Sequence, residues 1–174
     1  MAKGTEELQH LGTFLLHIKA LIWCLCKAGE RYNLTKIVKA LRERRVPQEL
    51  MDSTVGQNLS FIIGFLNADS DYETLITALT TSIHDIQARG GKKAEVHHPS
   101  GIIICEVGHY IEAVEDIDTT VPAGSYGVLS ALKDGNVKGL FYVEGHGLRL
   151  VECEPGKVRF IFGTTIWGPR TDRR

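Results

Sequence analysis

Three histidines and a cysteine stand close together in the second half of the sequence, and their side chains are of the types that bind zinc. Imidazole and thiolate groups are the usual ligands of structural and catalytic zinc. The spacing follows neither a CxxC nor an HxxxH pattern, and one of the four ends an apolar run that indicates a buried strand. Packed or solvated side chains are therefore the alternative interpretation, and we expect no cofactor. The candidate metal ligands are His97, His98, Cys105 and His109.

Cys105 also invites a nucleophile interpretation, with His109 as its base and Glu106 as the group that orients the base. On a strand, however, residues 105 and 109 share a face while residue 106 points to the other. The chain carries no catalytic motif, so we predict no catalytic residues and a protein that is not an enzyme. A small enzyme or zinc protein that depends on Cys and His remains the last-ranked alternative.

A strongly basic segment follows in the first half, and it could contact phosphates or an acidic protein. Binding of this kind weakens steeply as salt is added. The alternative is an ordinary solvated helix face. The chain as a whole has 20 basic and 21 acidic residues and a net charge of −1, which argues against a surface built entirely for nucleic acid. The candidate nucleic-acid contacts are Lys36, Lys39, Arg42, Arg44 and Arg45.

The first predicted helix carries an apolar stripe whose members are spaced by four and three residues in turn. Between Glu7 and Lys27 its only fixed charge is Lys19, and a helix with so few charges is seldom a surface helix. Either it is the central helix of a bundle, or a second copy of the chain covers it, and no membrane span is expected. The candidate oligomer contacts are Leu11, Leu15, Ile18, Ile22 and Leu25.

The period of the apolar residues changes near residue 93. Before it, helical spacing predicts about four helices, and Ser70 with Glu73 predicts a capping box at the start of the last one. After it, alternation and frequent turn signals predict five to six antiparallel strands, with Asp134-Gly135 favouring a primed hairpin turn. The fold class is therefore α+β, with a helical domain at 1–93 and an antiparallel β domain at 94–174.

Ile102-Ile103-Ile104-Cys105 is apolar throughout, which predicts a strand buried on both faces. The four cysteines are too few for a disulfide scaffold at this length, and the N-terminus does not resemble a signal peptide. We expect a cytoplasmic or nuclear protein that is not secreted. The leading hypothesis is a non-enzymatic, self-associating structural or interaction protein, with an RNA-binding regulatory protein as the first alternative. The expected partners are a second copy of the chain and an RNA or acidic protein.

Overall fold

The computed structural model of the protein describes residues 2–27, 34–90 and 92–162, with the side chains of residues 2–10 and 25–27 outside that description. The described residues form four α-helices followed by antiparallel strands, which confirms the predicted α+β class. The helices are α1 (Ala2–Lys27), α2 (Leu34–Glu43), α3 (Thr54–Phe65) and α4 (Asp69–Ala88). The strands are β1 (Ala94–His98), β2 (Gly101–Cys105), β3 (Tyr110–Ala113), β4 (Tyr126–Lys133), β5 (Asn136–Val143), β6 (Gly147–Cys153) and β7 (Val158–Ile161).

The apolar stripe of α1 is buried inside the chain. Leu15 and Ile18 have no exposed surface, and α1 packs against α3, α4 and β4. The ring of Phe14 stacks on that of Phe65 in α3, with the centroids 4.3 Å apart. α1 is thus the inner helix of the helical layer, one of the two roles that its sequence predicted. Across the described helices, none is long and apolar enough to cross a membrane.

The entry into α3 depends on a cap and a glycine. The Ser53 hydroxyl accepts a hydrogen bond from the Gly56 N–H at 3.0 Å, which satisfies one of the free donors of the first turn. A Cβ at Gly56 would collide with the carbonyl oxygen of Leu50, so the 3₁₀ turn at Gln48–Leu50 can approach α3 because residue 56 has no side chain.

The predicted capping box at the start of α4 is wrong. The helix begins at Asp69, its N-cap residue is Ala68, and no side chain caps it. Ser70 therefore lies inside the first turn rather than at the N-cap position, so its hydroxyl cannot form the predicted capping box. Asp71, also in that turn, is buried and bonds to the β half instead.

Five strands form the main sheet in the order β6-β5-β4-β3-β7, with every pairing antiparallel. β4 and β5 are joined by Asp134-Gly135, whose φ angles of 52° and 84° are those of a type I′ turn. This confirms the primed turn that the sequence predicted. β4 has an irregularity between Leu129 and Ala131, where Ser130 is the extra residue.

The main sheet is the middle of three layers. Its first face shares a core with the helices, including Tyr110, Val128 and Leu140. Its second face shares another core with the two-stranded sheet of β1 and β2, which we call the ribbon (residues 94–105). The divide near residue 93 separates helices from strands, and the two halves are joined by the first core.

The prediction that β2 is buried on both faces is wrong. Ile102 is 61% exposed and Ile104 is 51% exposed, whereas Cys105 is buried. β2 pairs only with β1 among the described strands, so the ribbon lies over the main sheet as an outer layer. One face of β2 therefore points to solvent even though its side chains are apolar.

Candidate functional site

The structure does not bring the four candidate metal ligands together. His97 is exposed on the outer face of the ribbon, and Cys105 is buried on its inner face. Both ring nitrogens of His98 have partners, with Nε2 2.9 Å from the Val158 carbonyl and Nδ1 2.8 Å from the Ser100 hydroxyl. His109 accepts a hydrogen bond at Nδ1 from the Glu106 N–H at 3.3 Å. Within the described part of the chain, no group of three or more His, Cys, Asp or Glu side chains is placed to hold a metal ion.

Cys105 and His109 are poorly suited to nucleophilic catalysis as a pair. Burial raises the pKa of the Cys105 thiol to about 11, so at neutral pH the sulfur is a thiol, whereas the thiolate is the nucleophile. Burial, followed by the nearby Lys19 charge, lowers the pKa of His109. No hydrogen bond joins the two side chains among the described residues. The geometry therefore gives no support to the Cys/His enzyme alternative.

All five residues of the basic segment are exposed on α2 and the turn after it, but four of them have acidic partners. Lys36 and Lys39 pair with Glu49 and Glu43 at 3.2 and 4.0 Å. Arg42 donates from Nε and Nη2 to the two oxygens of the Glu73 carboxylate, at 3.2 and 3.3 Å.

Arg44 pairs with Asp69 and lies over the ring of Tyr72, 4.4 Å from its centroid. Arg45 has no ion-pair partner among the residues that the structure describes. Most of the positive charge of this surface is therefore balanced by acidic residues. Glu43 lies on α2 itself, whereas the other three partners come from α4 and from the turn between α2 and α3, where the sequence of α2 alone does not indicate them.

The candidate oligomer contacts on α1 lie inside the chain. Leu15, Ile18 and Ile22 are buried and Leu11 is half-buried against the same core, while the Leu25 side chain is outside the described residues. The four described side chains are covered by α3 and α4, so they do not form an accessible surface.

An accessible apolar surface is found instead on the ribbon. β1 and β2 pair so that Glu95 lies opposite Ile104 and His97 opposite Ile102, which places these four side chains on one face. All four are exposed. We call them the ribbon face. Neighbouring exposed isoleucines on a strand are unusual, since soluble proteins seldom leave such side chains uncovered together.

The two edges of the ribbon differ. β1 lies beside the 3₁₀ turn at Pro155–Lys157, and His98 is bonded to the carbonyl of Val158, the first residue of β7. No described strand pairs with the outer edge of β2. β2 thus presents unpaired backbone donors and acceptors next to Ile102 and Ile104. An open apolar edge of this kind is a template for pairing with another strand.

A cleft of about 210 Å³ opens where α1, the C-terminal end of α4 and the end of β2 meet. We call it the junction cleft. Its walls are mostly apolar, and the buried Cys105 contributes to them. The apolar side chains that line it are Trp23, Ile86, Ala94, Val107 and Leu132.

Charged groups ring the junction cleft. Arg89 holds Asp85 with two hydrogen bonds of 3.0 and 3.2 Å. Lys93 lies 3.5 Å from the Glu106 carboxylate. Lys92 is exposed and has no acidic partner within the described ranges. The sequence contains these residues, but their convergence follows from the packing of the ribbon against α4, which no local pattern indicates.

Comparison of the chain with protein-family models, with curated proteins and with solved structures gave no significant match. Function must therefore be inferred from the chain's own residues.

Proposed function

We propose that this protein is a non-enzymatic, self-associating interaction protein whose copies pair through the outer edge of β2. The observation that carries the proposal is the coincidence of an unpaired strand edge with two exposed isoleucines, Ile102 and Ile104, on the same five-residue strand. A buried edge would have its backbone groups paired, and a solvated edge is usually protected by charge or proline. β2 has neither.

The edge is complementary to itself. If two copies of β2 pair in antiparallel fashion about Ile103, Ile102 of one copy lies opposite Ile104 of the other. The pair then joins two ribbons into one four-stranded sheet. Its outer face gathers four isoleucines, and directly opposed β-branched side chains stabilise an antiparallel pair. Glu95 and His97 lie outside this apolar centre on each copy.

The proposed interface is small. Stable protein–protein interfaces bury at least about 1,000 Å² in total, and a five-residue strand contributes only part of such an area. We therefore expect weak, concentration-dependent self-association rather than a permanent dimer.

Sedimentation velocity over a wide range of protein concentration tests the proposal. The parent chain should shift from monomer to dimer as concentration rises, and Ile104→Lys should remain monomeric because it places a charge on the pairing edge. Val114→Lys is the matched control, since Val114 is also an exposed β-branched residue but lies outside the ribbon. It should associate like the parent.

A parent chain that stays monomeric at every concentration would refute self-association. Equal association of the parent and Ile104→Lys would instead show that the contact lies elsewhere.

RNA binding through α2 is the second candidate function. In its favour, all five basic residues are exposed on α2 and the turn after it. Exposed ion pairs contribute only about 0–1 kcal/mol, so phosphates can compete with the acidic partners for Lys36 and Arg42 at low salt. The pairing nevertheless reduces the net charge that a polyanion meets, and for that reason we rank this function second.

A further inference from the structure

We infer that the junction cleft binds a small monoanion with an apolar, ring-sized body, such as an aromatic monocarboxylate. The inference does not rest on self-association. The cleft is lined by the buried Cys105 at the end of β2, whereas the proposed pairing uses the outer edge of that strand at Ile102 and Ile104.

The size and the apolar walls of the cleft determine the size and polarity of the ligand body that fits it. A cavity of about 150 Å³ lined by apolar side chains is sufficient for benzene. The junction cleft, at about 210 Å³, accommodates one ring and a short substituent. Trp23, Val107 and Leu132 supply apolar contacts, and a flat ring can pack against the indole.

The charges around the cleft set the sign of the substituent. Arg89 and Asp85 neutralise each other through their paired hydrogen bonds. Glu106 is balanced by Lys93. Lys92 remains as an exposed cation in the lining, with no acidic partner in the described chain. One uncompensated positive charge beside an apolar cleft matches a ligand with one negative charge.

The position of Lys92 indicates how the ligand lies. Lys92 is exposed, whereas Cys105 and Val107 are buried, so the cation lies at the mouth and the apolar groups lie deeper. The ring then enters first and the carboxylate stays near the solvent. This orientation avoids burying a charge without a partner, which would be costly.

Titration with benzoate, followed through the indole N–H signal of Trp23 in a two-dimensional NMR spectrum, tests the inference. Benzamide is the matched neutral probe, with nearly the same shape and no charge. Benzoate should shift the signal in a saturable way and bind about twofold to fivefold more tightly than benzamide, the range expected for one exposed ion pair. Ile86→Phe should weaken both probes, since it fills part of the cleft.

Lys92→Met should reduce benzoate binding to the level of benzamide. Lys39→Met is its control, because it removes the same charge from an exposed position on α2. Lys39→Met should leave the preference unchanged. Equal affinities for benzoate and benzamide in the parent chain, a Lys92→Met variant that keeps the preference, or no saturable shift with either probe would overturn the inference.

Discussion

The carboxylate of Asp71 in α4 accepts a hydrogen bond from the backbone N–H of Leu148 at the start of β6, at a distance of 3.0 Å. Asp71 is only 8% exposed, and it fastens the helical layer to the main sheet. Gly147 directly precedes Leu148 and has a φ of 81°, a backbone conformation that favours glycine. A Cβ at residue 147 would also collide with the Asp71 carboxylate.

We expect Asp71→Ala to lower the free energy of unfolding by about 1–3 kcal/mol, because it leaves the buried Leu148 N–H without an acceptor. Urea denaturation followed by circular dichroism measures the change. Asp52→Ala is the control, since Asp52 is an exposed acidic residue, and it should change stability by less than about 0.5 kcal/mol. Similar effects for the two variants would show that the Asp71 hydrogen bond contributes nothing specific.

The α+β class and the turn at Asp134-Gly135 could be predicted from the sequence because both depend on local patterns. Helical and alternating periods persist over many residues, and Asp-Gly restricts the turn types that two strands can share. The role of Asp71 could not be predicted, since a carboxylate in the first turn of a helix is favourable there whether or not it has a distant partner.

The exposure of β2 shows a different limit. A short apolar run predicts a buried strand only if other elements cover both of its faces, and periodicity contains no information on those neighbours. The signal that could have corrected the prediction is the turn at Pro99-Ser100, which joins β1 and β2 into a hairpin of two five-residue strands. Such a hairpin fits an outer ribbon better than the centre of a sheet. Apart from the local Lys39–Glu43 pair, the ion pairs of α2 depend in the same way on distant residues, and so does the junction cleft.

A second buried contact joins the two halves through serine hydroxyls. The Oγ atoms of Ser82 in α4 and Ser130 in β4 are 3.0 Å apart, and Ser130 also donates to the Ala78 carbonyl at 3.0 Å. Both serines are buried, and Ser130 is the extra residue at the irregularity in β4. The irregularity therefore directs the Ser130 hydroxyl toward α4, where the Ser82 hydroxyl and the Ala78 carbonyl are its hydrogen-bond partners.

We expect Ser130→Ala and Ser82→Ala each to cost about 1–2 kcal/mol, since each removes one partner of a buried hydroxyl. The double variant should cost less than the sum of the two, with a coupling of about 0.5 kcal/mol or more. Thermal and urea unfolding of the four proteins in the cycle measure it. Ser60→Ala, at an exposed position of α3, is the control. Strict additivity would show that the two hydroxyls do not depend on each other.

The buried thiols should make the fold sensitive to alkaline pH. Burial raises the pKa values of Cys105 and Cys153 to about 11, from an ordinary value of 9.0. Their stabilising contribution is complete below the ordinary value and is lost as the pH rises toward the raised one, because the unfolded chain then releases protons that the folded chain keeps. The slope is at most about 1.4 kcal/mol per pH unit for each thiol.

Urea midpoints measured from about pH 8 to about pH 9.5 test this prediction, a window that lies below the ordinary tyrosine pKa of about 10. Stability should fall with pH in the parent chain. The fall should be shallower in Cys105→Ala, even though that variant is less stable at every pH because it leaves a cavity. An unchanged slope in Cys105→Ala would mean that this thiol does not titrate differently in the folded and unfolded chains.

Release of the basic residues of α2 from their acidic partners tests RNA binding directly. Glu49→Gln with Glu73→Gln frees Lys36 and Arg42, so any binding of single-stranded RNA through α2 should become tighter. The dependence of log affinity on log salt should steepen by about 0.7 for each freed cation that meets a phosphate. Fluorescence anisotropy of a labelled RNA at low and physiological salt measures both quantities.

A control variant of equal net charge shows whether such RNA binding takes place through α2. Glu144→Gln with Glu154→Gln removes two exposed carboxylates from the β half and should leave the slope close to that of the parent chain. Arg42→Glu, Arg44→Glu and Arg45→Glu together should abolish binding, because they reverse the charge of the same surface without entering the core. Binding that survives this triple change would place the RNA contact outside α2. Equal salt slopes in the two double variants would show that the change in RNA binding arises from net charge alone.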